Sequence, residues 1–363
     1  MKLASFCIGF FATLTSTAAA AQTVRYVDSA AKQGGNGLSW ESALPTIYEA
    51  VNSAEPGDEI WVRQGLYKVD KGTIDLGTDL VLRGGFLGDE TDISQRDIGA
   101  HPTLITADLL GNDTADFASR NDNTQVTMIA GGALLDGLVI RGAAYQAIDN
   151  AGGMQDCIVE DCLLIAGDVS VVYFESIGEE RISIERCVFQ ECARESGDIR
   201  EGVLEIRATS LSPSTLVQDC DFLNNGLLGD GTATGLVVNA FSVAKANLSE
   251  FTIERCHFQG NVSKTRYPGA MWGVFNDNRI ADVIDCRFEQ NTTFGSSASV
   301  EFIVEGSEFT MSDSEFIRNS SQQARAGAIH LRIGSSLSSR ECVVERCTFE
   351  QNSGEDAGAL SVD

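Results

Sequence analysis

Three groups of residues in this chain have the types and spacing for chemistry. The first is cysteine. Nine follow Cys7, and a Cys-x4-Cys spacing recurs at 157/162, 187/192 and 342/347. Paired thiols can close a disulfide or hold a metal such as zinc. The second is an acidic insertion over residues 109–124. Asp113, Asp116, Asn121, Asp122 and Asn123, with Asp108 and Asn112, supply hard oxygen ligands. Such donors suit calcium, but their spacing is not that of an EF-hand loop, and a solvated acidic loop is the simpler expectation. The third is a set of alternating segments carrying Glu205, Arg207, Trp272, Glu301, His330 and Arg332. A tryptophan beside arginines and carboxylates can bind an extended sugar chain by ring stacking and hydrogen bonds. Two carboxylates can also serve as acid and base in glycoside cleavage. A Ser/His/Asp triad cannot be placed, because His101, His257 and His330 are the only histidines.

The elements that position these residues repeat. The unit Cys-x-Phe-x-x-Asn appears as Cys220-x-Phe222-x-x-Asn225, Cys256-x-Phe258-x-x-Asn261, Cys286-x-Phe288-x-x-Asn291 and Cys347-x-Phe349-x-x-Asn352. Ser314 replaces cysteine in the copy ending at Asn319. Weaker copies begin at Cys187, with Cys192 in the Asn slot, at Cys162, ending in Gly167, and at Gly137, ending in Gly142. These anchors recur about every 30 residues. Between them come small pairs followed by alternation, as in Gly327-Ala328-Ile329, Gly269-Ala270-Met271, Gly358-Ala359-Leu360 and Gly131-Gly132-Ala133. Both units have the period of two that marks strands. Units of constant strand pattern and variable loop length predict a solenoid, in which each coil buries its face only against its neighbours. Cys and Phe, two apart, then point inward as ladders. Asn at a corner can bond the next coil and tolerates a left-handed backbone. Parallel thiols at strand spacing are poorly oriented for a disulfide, so Cys162, Cys187, Cys220, Cys256, Cys286 and Cys347 are read as small core residues, leaving no cage for a metal. Bridging is left open at Cys157, Cys192 and Cys342 because exported chains oxidise their thiols. The same alternation turns the six residues of the third group outward in neighbouring coils.

This pattern resembles the right-handed parallel β-helix of the pectin-lyase-like superfamily. The Phe-x-x-Asn and Gly-Ala units are similar to the repeats of polymorphic outer membrane proteins, which are surface passengers, and the stretch from Tyr26 to Tyr67 resembles the opening of secreted β-helix proteins, some polysaccharide lyases among them. The resemblance implies an elongated all-β solenoid of about ten coils and a place outside the cell. Its lyases carry Asp-His or Arg-x-Pro-x-x-Arg motifs and its pectin hydrolases Asn-Thr-Asp, Asp-Asp and Gly-His-Gly. Neither set has a convincing match in this sequence.

At the N-terminus, Lys2, an apolar run over residues 3–14 and the alanines at 18–21 read as a secretory signal over residues 1–21. Residues 22–130 are expected to form a cap and the first coils, with a helix starting at Thr46 and ending before Gly57, and residues 131–363 the remaining repeats. The sequence stops inside a repeat, which suggests a truncated record or an end covered by a partner. With 26 Lys+Arg against 52 Asp+Glu the formal charge is −26, which argues against a nucleic-acid or anionic-membrane partner. No later stretch is apolar enough for a membrane span. The expected function is non-enzymatic surface adhesion or glycan contact, with an extracellular glycan or a surface protein as partner and no required cofactor. The alternatives are a polysaccharide lyase or glycoside hydrolase working in an outer groove, and a structural passenger of a larger secreted chain.

Overall fold

The computed structural model describes residues 22–113, 123, 126–149, 152–164, 170–176, 181–194, 202–208, 214–226, 234–240, 249–264, 267–276, 279–295, 298–323, 326–334 and 341–363. The predicted signal segment lies outside them. The chain is a right-handed parallel β-helix. Its third face is a ten-stranded parallel sheet running from Gly65–Lys68 to Thr348–Glu350, one strand per coil. The first and second faces belong to one larger sheet, because the early strand Thr127–Asp136 pairs with both Gln146–Asp149 on the first face and Gly153–Gln155 on the second. Gly131 lies within that strand at φ 105°, where a Cβ would stand 2.6 Å from the Gly77 backbone. The Gly-Gly-Ala stretch is therefore the crossing between two faces, and not a copy of the Gly327-Ala328 element.

The sharp corners follow from single residues in the left-handed conformation. Between the second and third faces these are Asp156, Arg186, Asp219, Arg255, Asp285, Asp313 and Arg346, with φ between 51° and 55°. After the third face they are Asp161, Glu191, Asn224, Gly260, Gln290, Arg318 and Gln351. The residue after each turns into the core. Cys157, Cys187, Cys220, Cys256 and Cys286 thus form one buried ladder, and Phe189, Phe222, Phe258, Phe288 and Phe316 another. The rings stack with centroids 4.6 to 4.9 Å apart from Phe189 to Phe316, matching the spacing of the strands that carry them.

Two sequence expectations are corrected here. Cys162 does not stack on Cys187. Ile158 pairs with Val188 and Leu163 with Ala193, so Cys157 occupies the Cys187 slot while Cys162 and Cys192 occupy the Asn slot. In the earliest copy the slot belongs to Leu138 rather than Gly137, since Val139 pairs with Ile158. The asparagines do bond an adjacent coil's backbone, Asn225 Nδ2 donating to the Phe189 carbonyl at 3.0 Å, but the left-handed residue is the one before each of them. Asn225, Asn261, Asn291 and Asn319 are instead fully buried. Each Nδ2 donates to the next asparagine's Oδ1 at 2.9 to 3.0 Å.

At the N-terminal end, helix α1 (Ile47–Ser53) starts where predicted. Thr46 caps it by accepting from the Glu49 amide at 3.2 Å. Ile47 and Ala50 join the interior core, with Val51 and Ala54 packed against it. Among the described residues no helix is long and apolar enough to cross a membrane.

Candidate functional site

Residues of the first face stand in register along the axis. Asp149 pairs with Tyr173, Tyr173 with Glu205, and Glu205 with Val237. The row continues through Trp272, Glu301 and His330 to Ser361. A parallel row runs through Glu175, Arg207, Asn239, Val274, Ile303 and Arg332. Four of the six residues singled out in the sequence therefore share one row, and Arg207 and Arg332 share the next. Parallel pairing fixes both rows, since each strand adds one residue to each at about 4.8 Å intervals.

The row is less open than its outward direction suggested. Glu205 is 2% exposed, Trp272 4% and Glu301 7%. Trp272 is therefore no open stacking platform. Its ring meets Tyr267 edge-on at 5.6 Å and packs with Val274 and Ile303 in a small apolar cluster outside the main core. Arg207 and Arg332 are exposed and His330 half-buried.

Charged groups flank that apolar centre on both sides. Toward the N-terminus, Glu205 accepts from Ser170 Oγ at 2.6 Å and from Arg207 Nε at 2.8 Å. The Arg207 guanidinium lies 5.3 Å from the Tyr173 ring centre. Burial pushes the Tyr173 phenol up to about 12, with Arg207 opposing and Glu175 adding to the shift. Burial, then the Glu175 charge, raises the Asp149 carboxyl above its usual value. Toward the C-terminus, Glu301 lies 3.8 Å from His330 Nδ1 and 3.7 Å from Arg332 Nη1. His330 Nε2 meets Asp363 Oδ2 at 3.1 Å. Beside them is a hollow of about 240 Å³ lined by Ile303, Glu305, Arg332, Ile333, Gly334 and Asp363.

The sequence reading missed Asp149, Tyr173 and Glu175. Their strands, Gln146–Asp149 and Val172–Ser176, lack the Gly-Ala pair that marked the other copies, and the alternation in Val172-Tyr173-Phe174-Glu175 was the available signal.

Geometry also limits the chemistry. Glu205 and Glu301 stand three rungs apart, about 14 Å, beyond the roughly 5 to 9.5 Å of glycosidase carboxylate pairs. In the acidic insertion, Asp108 accepts backbone N–H bonds from Gly111, Asn112 and Asp113. Burial works to raise its carboxyl, but these bonds hold it below the usual value. Asn123 Nδ2 donates to Asp113 at 2.8 Å. Asp116, Asn121 and Asp122 lie outside the described residues, and the described His, Cys, Asp and Glu form no group of three able to hold a metal. The nine described cysteines are free thiols. Burial pushes Cys187, Cys192 and Cys256 far up, away from the reactive thiolate.

Among solved structures, a rhamnogalacturonan lyase is 11% identical, over 89% of this chain and 90% of its own, with a TM-score of 0.38. A polygalacturonase from Erwinia carotovora ssp. carotovora is 8% identical over 97% and 98%, with a TM-score of 0.38. A family 28 exopolygalacturonase from Yersinia enterocolitica is 10% identical over 94% and 78%, with a TM-score of 0.29. The likeness concerns the fold alone and reaches no residue of the site. No protein-family model and no curated protein matches the chain.

Proposed function

We propose that this chain is an exported, non-catalytic protein that contacts an extended extracellular glycan along its first face. The observation that carries the reading is the axial register from Asp149 to His330, six rungs or about 29 Å, with Arg207 and Arg332 exposed in the row beside it. A straight, rigid row suits a polymer better than a compact ligand, and exposed arginines offer forked donors to sugar hydroxyls and carboxylates. The carboxylates nearest those arginines are already engaged by neighbouring side chains, which favours binding over proton transfer. Affinity for oligosaccharides should rise with chain length and fall at least about fivefold in Arg207→Ala and Arg332→Ala, as expected for lost charge-assisted bonds. Equal affinity for monosaccharides and long chains, or indifference to both changes, would sink this reading.

One observation favours a hydrolase as the second reading. Asp149 and Glu205 flank Tyr173 two rungs apart, about 9.6 Å, close to the separation of inverting glycosidases. The raised Asp149 carboxyl fits a general acid. Under this reading the protein releases new reducing ends, and Asp149→Asn abolishes the release.

A further inference from the structure

A second hollow, of about 180 Å³, lies at the other end of the molecule between the capping segment and the first coils. Pro45 and Tyr48, at the start of α1, form one wall; Leu66, Tyr67 and Lys68, on the strand Gly65–Lys68, form the other. Asp70, Lys71 and Ile74 complete the rim. The chain has only six lysines, and two of them are among the residues lining this one hollow. Lys71 Nζ sits 5.8 Å from the Tyr48 ring centre. Lys68 Nζ spends one donor on the Leu109 carbonyl at 2.7 Å, and an ammonium group has three. The phenols are spent on the protein, Tyr48 Oη donating to the Gly72 carbonyl and Tyr67 Oη to the Arg63 carbonyl. What remains for a ligand is an aromatic and aliphatic wall with Lys68 and Lys71 in its lining, opposed by the single carboxylate of Asp70. Leu66 is 49% exposed at the rim, an apolar surface that a seated ring would cover.

We infer that this hollow is a binding site for one small anionic ring, with a carboxylated monosaccharide as its ligand class. The ring packs between Leu66 and Tyr48, and its carboxylate meets the Lys68 and Lys71 ammonium groups. In a chain of net charge −26, a local pair of cations is what allows an anion to approach. The site is built from other residues than the axial row and stands or falls apart from it.

Titration calorimetry on the full chain with sodium glucuronate, and with neutral methyl glucoside as comparison, tests this. Saturable glucuronate binding is expected, weakened at least about tenfold in Lys68→Ala/Lys71→Ala and in Leu66→Glu, which sets a carboxylate at the mouth. Both changes fall at exposed positions, and unaltered circular dichroism confirms folding. Binding of methyl glucoside as tight as glucuronate, or no saturation by glucuronate at tens of millimolar, overturns the inference. So does binding that survives the lysine changes but disappears in Arg207→Ala/Arg332→Ala, which would move the anion to the first face.

Discussion

Asn291 shows how much one buried side chain carries in this architecture. Its Oδ1 accepts from both the backbone amide and the Nδ2 of Asn261, and its Nδ2 donates to the Phe258 carbonyl and to Asn319 Oδ1. Alanine there leaves several buried polar groups without partners, and each costs about 1–3 kcal/mol. Asn291→Ala should therefore lose about 3–5 kcal/mol in urea unfolding, and Asn352→Ala, at a half-buried rung, clearly less. The preceding residue, Gln290, shows the opposite balance. It is exposed and held at φ 56°, a conformation that costs an L-residue about 1–2 kcal/mol. Gln290→Gly should raise stability by about 0.5–1 kcal/mol in the same measurement. The ladder was legible in the sequence because Phe-x-x-Asn recurs in five copies. The placement of the strain one residue earlier was not, because Asn, Gly, Gln, Arg and Gln fill that slot with no shared composition.

The corners are the elements where charge is organised. Arg186 grips Asp156, Arg255 grips Asp219 and Arg346 grips Asp313, each by two bonds between successive coils. The arginine partners hold Asp219 and Asp313 below the usual carboxylate range, against a smaller opposing effect of burial. A depressed carboxyl stabilises the fold above its unfolded value near 4, and that contribution disappears as pH falls through the folded value. Burial raises Asp149, Asp221 and Asp282 instead; these favour the fold as they take up protons, so their effect runs the other way. Melting temperature should hold or rise slightly from pH 7 to about 5 and fall below about 4. A fall already complete by pH 5 would contradict the assignment. The two corners also explain the misread anchor. They lie five residues apart, and each places a buried residue after a left-handed one, so Cys157-x-Val159 and Cys162-x-Leu164 look alike in sequence. Only strand pairing separates them. The first-face row was legible from alternation, but not the burial of Trp272, to which Tyr267, a residue outside the alternating strand, contributes.

At the scale of the molecule, stability accumulates from rung to rung, because each coil touches mainly its two neighbours. The stacked phenylalanines, the asparagine ladder and the thiol ladder all run along the same tube, so one test reaches them together. Native-state alkylation with iodoacetamide, read by mass spectrometry, asks whether the sulfurs face inward. Cys157, Cys162, Cys187, Cys192, Cys220, Cys256 and Cys286 are at most 1% exposed, while Cys342 and Cys347 are half-buried. The account predicts that the seven resist labelling until the protein unfolds and then all react as free thiols, with Cys342 and Cys347 modified earlier. Rapid native labelling of the seven, or disulfides among them, would contradict a helix closed around its own side chains.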